Sequence, residues 1–223
     1  MPIRASSAAD RALNRPRKTG TRGMPRAQRE QLILDVAGRA FAREGYHSAS
    51  MDEIAELAGV SKPMVYAYFR SKEELYVAYI NRTGRELLER LSGAIGEEQP
   101  PFERMRARVA EFLAFVEEYR DGWSVLFSEI SASRPLAEQV AELRAQIAEA
   151  VRRMIESSVV AESRPPPAAT DAIAHAIVGA GESLANWWLE HPEVAREELA
   201  AWYAGVVRAA VASMFAAPDA RQD

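Results

Sequence analysis

No cysteine occurs in this sequence of 223 residues, so disulfide bonds and thiolate metal sites are excluded. The sequence also lacks an uncharged apolar run of about 18 residues, which a transmembrane helix would need. Its first residues do not contain the apolar segment of a signal peptide. These absences lead us to expect a cytoplasmic protein with no membrane partner.

Catalytic and metal-binding motifs are missing as well. The three histidines have none of the spacings that hold a metal ion on a helix. The sequence has no glycine-rich phosphate loop and no dinucleotide-binding fingerprint. The segment Gly181-Glu-Ser-Leu-Ala lacks the second glycine of a nucleophile elbow and falls within a predicted helix. We therefore expect no metal, no cofactor and no enzymatic activity.

The net charge of −4 conceals an uneven distribution of charge along the chain. Residues 1–90 contain 16 Lys and Arg against 11 Asp and Glu, whereas residues 91–223 contain 12 against 21. In residues 1–29, eight basic residues stand against Asp10 alone. A basic amino-terminal part suggests a polyanionic partner for that end of the chain. A solubilising tail would have the same composition, so charge alone leaves both interpretations open.

Strand signals are also lacking, because neither sustained apolar–polar alternation nor an Asn-Gly hairpin turn occurs. Residues 1–24, rich in Arg, Ser, Gly and Pro, show no periodicity and predict a flexible basic arm. From residue 25 onward apolar residues recur at helical spacing, which predicts an all-α fold. We predict about nine helices, which cover residues 25–44, 51–58, about seven residues after Ser61, 71–91, 102–119, 123–131, 135–160, 169–190 and 193–215.

Residues 51–70, MDEIAELAGVSKPMVYAYFR, have the spacing of a helix-turn-helix. Ala55 is small enough to let two helices cross closely, and Gly59 can adopt the positive φ needed between them. Ser50, Ser61 and Ser71 are predicted helix caps, and Ser50 and Ser71 also begin capping boxes. The outer face of the second helix is predicted to present Lys62, Met64, Tyr66, Ala67 and Tyr68.

Two tyrosines and a lysine on so short a helix suit a phosphate-lined groove. Tyrosine offers a hydroxyl donor to phosphate and a flat apolar surface to sugar or to a thymine methyl group. Lys72, at the start of the following helix, is placed to hold another phosphate. The alternative is that Tyr66 and Phe69 are core residues and that Tyr68 lies on the surface by chance. We expect this to hold for Phe69 and in part for Tyr66.

The stretch from Gln31 to Ile80 resembles the TetR family of bacterial repressors. The matching segment reads ILDVAGRAFAREGYHSASMDEIAELAGVSKPMVYAYFRSKEELY. A departure is Lys62-Pro63-Met64, where many members carry Gly or Thr, and it bears on which bases are read. The residues at positions that touch DNA in the family are Ser50, Lys62, Met64, Tyr66, Tyr68 and Lys72.

The resemblance also implies an architecture. A three-helix DNA-binding head, here residues 25–75, would be joined by a helix reaching about residue 91 to a ligand-binding and dimerisation body, residues 92–223. Such proteins are bacterial, dimerise through their last two helices and are associated with the nucleoid through DNA. Most release DNA when a small molecule binds.

In the body, apolar stripes could form either plain core or a ligand cavity. Because Arg and Lys are sparse on the apolar faces, we expect a mostly apolar, uncharged or weakly charged effector. The candidate cavity residues are Met105, Phe112, Trp123, Phe127, Met154 and Trp187.

Small residues recur at helical spacing in the penultimate helix, which suits close packing against either a second copy or another helix of the same chain. Trp187 and Trp188 point about 100° apart on a helix, so one could face the core and the other a partner. The candidate dimer residues are Ala172, Ala176, Gly179, Ser183, Trp188 and Trp202.

Taken together, the sequence predicts a ligand-responsive repressor that binds a palindromic operator in double-stranded DNA as a homodimer. The alternative is a helical scaffold that binds a protein partner and no small molecule.

Overall fold

The computed structural model describes residues 23–93, 98–120, 122–123, 134–158 and 165–215. Across these ranges the chain forms eight helices and no strand, which confirms the all-α prediction. The helices are α1 Arg26–Ser48, α2 Met51–Leu57, α3 Lys62–Tyr68, α4 Lys72–Ser92, α5 Pro101–Glu118, α6 Arg134–Ser157, α7 Pro167–Glu190 and α8 Arg196–Ser213. The arm, up to residue 22, and all but the first residue of the predicted helix 123–131 lie outside the described residues.

Local signals set the ends of the first helices. The hydroxyls of Ser50 and Ser71 accept hydrogen bonds from backbone N–H groups three residues later, at 3.1 and 3.0 Å. Gly45 interrupts α1 with a φ of 77°, and Gly59 separates α2 from α3 with a φ of 65°. Ser61 is the N-cap residue of α3, as predicted, but its hydroxyl makes no capping hydrogen bond.

The capping boxes are also less regular than predicted. The Glu53 carboxylate pairs with Arg43 of α1 instead of turning back to the start of α2. The Glu74 carboxylate does turn back, but it accepts from the N–H of Arg70, one residue before the cap. The Glu53 carboxylate thus takes a donor from a neighbouring helix, whereas the Glu74 bond stays local but is shifted by one residue.

Helices α1 to α3 and the first part of α4 enclose one apolar core. Ile33, Phe41, Ile54, Val65 and Ile80 are all at most 1% exposed there. The body is formed by α5 to α8, in which α6 packs on α7 and α5 packs on α8. Helix α4 contacts both parts, because it packs on α1 in the head and on α5 and α6 in the body.

Three close approaches fix α4 against its neighbours. A Cβ atom at Gly84 would overlap the side chain of Leu143 on α6. The ring of Tyr79 leaves no room for a Cβ at Gly38 of α1, and its hydroxyl leaves none at Gly122. The head, α4 and the body are thus held together by tight contacts. No described helix has the length and apolar content that a membrane span requires.

Candidate DNA-binding surface and effector cavity

The outer surface of α3 is polar and accessible. Val65 and Phe69 turn inward, at 0% and 4% exposure, and anchor the helix to the head. Lys62 and Tyr66 are exposed, and Met64 is half-buried. The structure thus brings together the predicted DNA-contacting residues of α3 on the side that points away from the core. Phe69 is a core residue, as predicted, whereas Tyr66 is 41% exposed.

Tyr68 is held in a basic surrounding from α1. Its hydroxyl accepts a hydrogen bond from Nη1 of Arg29 at 3.2 Å, and the guanidinium of Arg26 lies over its ring at 5.3 Å. Arg29 also donates to the carbonyl of Met24, which ties the start of α1 to the same place. The sequence analysis counted both arginines among the basic residues of 1–29 but did not assign them to the site. Their spacing of three residues, one helical turn, was the available signal.

Ser50 and Lys72, the other two residues at positions that touch DNA in the family, lie at helix starts. Ser50 uses its hydroxyl to cap α2 and is exposed. Lys72 is half-buried, and its ammonium donates to the carbonyl oxygens of His47 and Ala49 at 2.9 and 3.0 Å. These two hydrogen bonds secure the connection between α1 and α2. Because an ammonium has three N–H groups, Lys72 retains one further donor.

An ion pair joins the two helices of the motif. The ammonium of Lys62 lies 2.8 Å from the carboxylate of Asp52 in α2. This hydrogen bond and the opposite charge raise the pKa of Lys62. Lys62 therefore stays protonated, but Asp52 competes with a DNA phosphate for its ammonium group.

A cavity of about 360 Å³ lies in the body. Its wall is overwhelmingly apolar and comes from α4, α5, α6, α7 and α8 together. Met105, Phe112, Trp123 and Met154 line it, as the sequence suggested. The indole of Trp123 is 1% exposed, packs edge-on against Phe112 and donates to Asn186 of α7 at 2.9 Å.

Two members of the predicted cavity set differ. Phe127 lies outside the described residues. Trp187 does not line the cavity, because it is 39% exposed and stacks on His191 at 4.2 Å. The sequence also overlooked the last helix, which contributes Tyr203 and Val207 to the wall.

The cavity has a few polar residues, among which Arg108 and Arg208 carry positive charge. Basic residues are thus sparse in the wall, as expected, but two are present. The hydroxyl of Tyr203 donates to the carbonyl of Ile177 at 2.6 Å, and its burial raises the pKa of Tyr203. Tyr203 is therefore a neutral part of the wall. Among the described residues no cluster of His, Asp and Glu could hold a metal ion.

An exposed apolar stripe runs along α7 and α8. Ala172, Ala176, Gly179 and Ser183 of α7 are all exposed, and Trp202 of α8 is 50% exposed. Trp188 does not belong to this surface, which corrects the predicted set. It is 3% exposed, and its indole N–H donates to the carbonyl of Val194 at 2.8 Å.

Trp187 lies on this stripe instead. It follows Ser183 by four residues, which is one helical turn. The prediction that the two neighbouring tryptophans face different environments is therefore right. The assignment was reversed, because Trp187 is the exposed residue and Trp188 the buried one.

Both parts of the chain match known families. Residues 33–79 match the family described as bacterial regulatory proteins, tetR family. Residues 101–217 match the family described as tetracyclin repressor-like, C-terminal domain. The two matches together cover the head and the body.

Among the similar proteins is the HTH-type transcriptional activator FasR of Mycolicibacterium smegmatis. It is 33% identical over 190 residues, which are 84% of this chain and 85% of that protein. The crystal structure of a TetR-like transcriptional regulator from Rhodococcus sp. RHA1 has 34% identity and a TM-score of 0.69, and the match covers 85% of this chain and 98% of that one.

The FadR regulator of Bacillus subtilis, solved in complex with stearoyl-CoA, shares the fold. Its TM-score is 0.65 at 15% identity, over 83% of this chain and 97% of that one. With the matches to head and body, these likenesses establish that the chain belongs to the TetR family of DNA-binding bacterial transcriptional regulators.

Proposed function

We propose that this protein is a repressor that binds a palindromic operator as a homodimer and releases it when an apolar effector enters the body. One observation carries the proposal: helix α4 begins next to α3 and also lines the cavity through Leu87 and Leu91. Any ligand that displaces the end of α4 therefore acts on the helix that directly follows α3 and packs on α1 of the head.

The DNA-contacting residues we propose are Ser50, Lys62, Met64, Tyr66, Tyr68 and Lys72. Tyr68, tied to Arg26 and Arg29, is suited to a phosphate, because it presents a hydroxyl among positive charges. Lys62 and Met64, in the first turn of α3, are suited to base edges. Lys72 contributes to phosphate binding through its remaining N–H donor. It also stabilises the connection that leads into the start of α2.

Selection from random duplexes tests this surface. The wild type should enrich an inverted repeat whose half-sites lie about one helical turn or slightly more apart. Tyr68→Ala should weaken binding to all sequences equally, whereas Lys62→Ala or Met64→Ala should change the preferred bases. Arg153→Ala, which replaces an exposed residue of α6, is the control and should bind as the wild type does. If the wild type enriched no inverted repeat, the proposal that a dimer binds a palindromic operator would be wrong.

A homodimer would cover the exposed stripe of α7 and α8. Trp187, Trp202 and Val206 are 39%, 50% and 53% exposed, which is costly for large apolar side chains in a lone protomer. A two-fold axis repeats each contact, so Gly179→Arg would introduce two charges into one interface. Light scattering should then report monomers. Ala141→Arg, at an exposed position of α6, should remain dimeric.

An apolar effector is supported by the composition of the cavity wall and by its volume, which falls in the range of about 300–1,000 Å³ typical of ligand pockets. A related fold holds stearoyl-CoA in the Bacillus subtilis regulator. Trp123 should report binding through its fluorescence, since it lines the cavity. The linkage must be reciprocal, so operator DNA should weaken effector binding by the factor by which effector weakens DNA binding.

Activation is the second candidate, because the relative from Mycolicibacterium smegmatis is named an activator. Transcription in vitro from the selected operator, with purified polymerase, separates the two. Repression requires that added protein lowers transcript yield and that effector restores it. A rise in yield on adding the protein would replace repression by activation.

A further inference from the structure

Two basic residues, Arg108 of α5 and Arg208 of α8, line the cavity. Phe102 and Arg208 are exposed although they line the cavity, so the cavity opens to the surface beside them. The guanidinium of Arg208 lies over the Phe102 ring at 5.4 Å from the ring centroid. A ligand entering the apolar interior there therefore passes an aromatic ring and a guanidinium group.

Arg108 has no acidic partner in the described parts of the chain. Its Nε–H donates to the carbonyl oxygen of Leu91 at 3.3 Å, near the end of α4, and no described carboxylate pairs with it. Burial lowers the pKa of the Arg108 guanidinium, and the like charge of Arg104 lowers it further. The positive charge is thus partly desolvated and lies beside another positive charge. An anion at this position would relieve both effects.

The carboxylate that lines the cavity does not serve this purpose. Glu182 of α7 is bound by Nε of Arg144, which lies 2.9 and 3.0 Å from its two oxygens. This pair is neutral as a whole. Among the described charged residues of the wall, Arg108 and Arg208 consequently leave a net positive charge.

We propose that the effector is an anionic amphiphile, whose apolar chain fills the cavity and whose carboxylate or phosphate head binds Arg108. This inference rests on the proposed effector function and narrows the expectation of a mostly apolar, uncharged or weakly charged effector. It also gives a route to the head, because Arg108 is bonded to the last turn of α4. An anion that draws the guanidinium away from Leu91 acts directly on the helix that follows α3 and packs on α1.

Four probes with one alkyl chain separate the head groups: dodecanoate, dodecyl phosphate, dodecanol and dodecyltrimethylammonium. Binding is followed by Trp fluorescence and operator release by fluorescence anisotropy, both below the micelle-forming concentrations. The two anions should bind about tenfold or more tightly than dodecanol, since a hydrogen bond to a charged group contributes that much. The order of dodecanoate and dodecyl phosphate identifies which head the site prefers.

Arg108→Gln tests the residue itself, because glutamine keeps a donor for Leu91 and removes the charge. The variant should bind dodecanol as the wild type does but should lose the preference for anions. Arg108→Lys should keep most of it. Arg106→Gln, an exposed change on the same helix, is the matched control.

Each outcome bears on one proposal. Equal binding of dodecanol and dodecanoate by the wild type would overturn the anionic amphiphile and leave the effector function standing. A preference for dodecyltrimethylammonium, or an unchanged anion preference in Arg108→Gln, would overturn the assigned head site. If no probe bound and none released the operator, the effector function itself would fail.

Discussion

Two adjacent tryptophans show how much a single residue step decides at the residue scale. Trp188 is buried and hydrogen-bonded to Val194, whereas Trp187 stacks on His191 at the surface. Trp188→Ala should lower the free energy of unfolding by about 3–5 kcal/mol, because it empties a large core site. Trp187→Ala should mainly weaken the dimer, so its loss of stability should be largest at high protein concentration, where the wild type is dimeric, and should shrink on dilution. Urea unfolding at several protein concentrations distinguishes the two effects.

Tyr119 supplies a prediction for alkaline pH. Its hydroxyl donates to Glu86 of α4 at 2.5 Å, and burial together with this bond raises the pKa of Tyr119 to about 12. In the unfolded chain the phenol ionises near its ordinary pKa of about 10. The contribution of Tyr119 to stability is therefore present below about pH 10 and is lost as the pH rises towards 12.

Urea unfolding measured across that pH interval checks this prediction. The free energy of unfolding should fall more steeply for the wild type than for Tyr119→Phe, which has no phenol to ionise. Tyr203, whose pKa is also raised, is present in both proteins and cancels in the comparison. Parallel pH profiles of the two proteins would contradict the argument.

At the scale of elements, α4 is the link between head and body, and Gly84 sets its distance from α6. Replacing glycine by alanine in a helix normally stabilises a protein by about 0.5–1 kcal/mol. At Gly84 the added methyl group would overlap Leu143, and overpacking costs about 1–3 kcal/mol. Gly84→Ala should thus destabilise the protein. Gly205→Ala, where nothing lies within 4 Å, should not, and thermal unfolding of both variants measures the difference.

At the scale of the whole molecule, charge is divided between the two ends of the chain. Residues 1–22, which lie outside the described residues, contain six Lys and Arg against one Asp. If this arm lies along DNA, its deletion should lower operator affinity and flatten the dependence of affinity on salt, because fewer counterions are released. The preferred sequence should stay the same. An unchanged salt slope, measured by anisotropy titrations, would show that the arm makes no phosphate contact.

The sequence by itself determined the features that depend on neighbouring residues. Ser50 and Ser71 cap helices, and Gly45 and Gly59 adopt positive φ, because a cap or a turn needs only a few consecutive residues. The helix-turn-helix was recognisable for the same reason, since its small residue, glycine and valines lie within one short segment. The family match extends that reading to the architecture.

Only the tertiary structure decided which face of α7 turns inward. This helix is rich in apolar and small residues on all sides, so periodicity could not choose between Trp187 and Trp188. The place of Arg108 in the cavity wall likewise depends on how α4, α5 and α8 pack. A stripe of apolar residues identifies what can be buried, but the neighbour that buries it comes from distant parts of the chain.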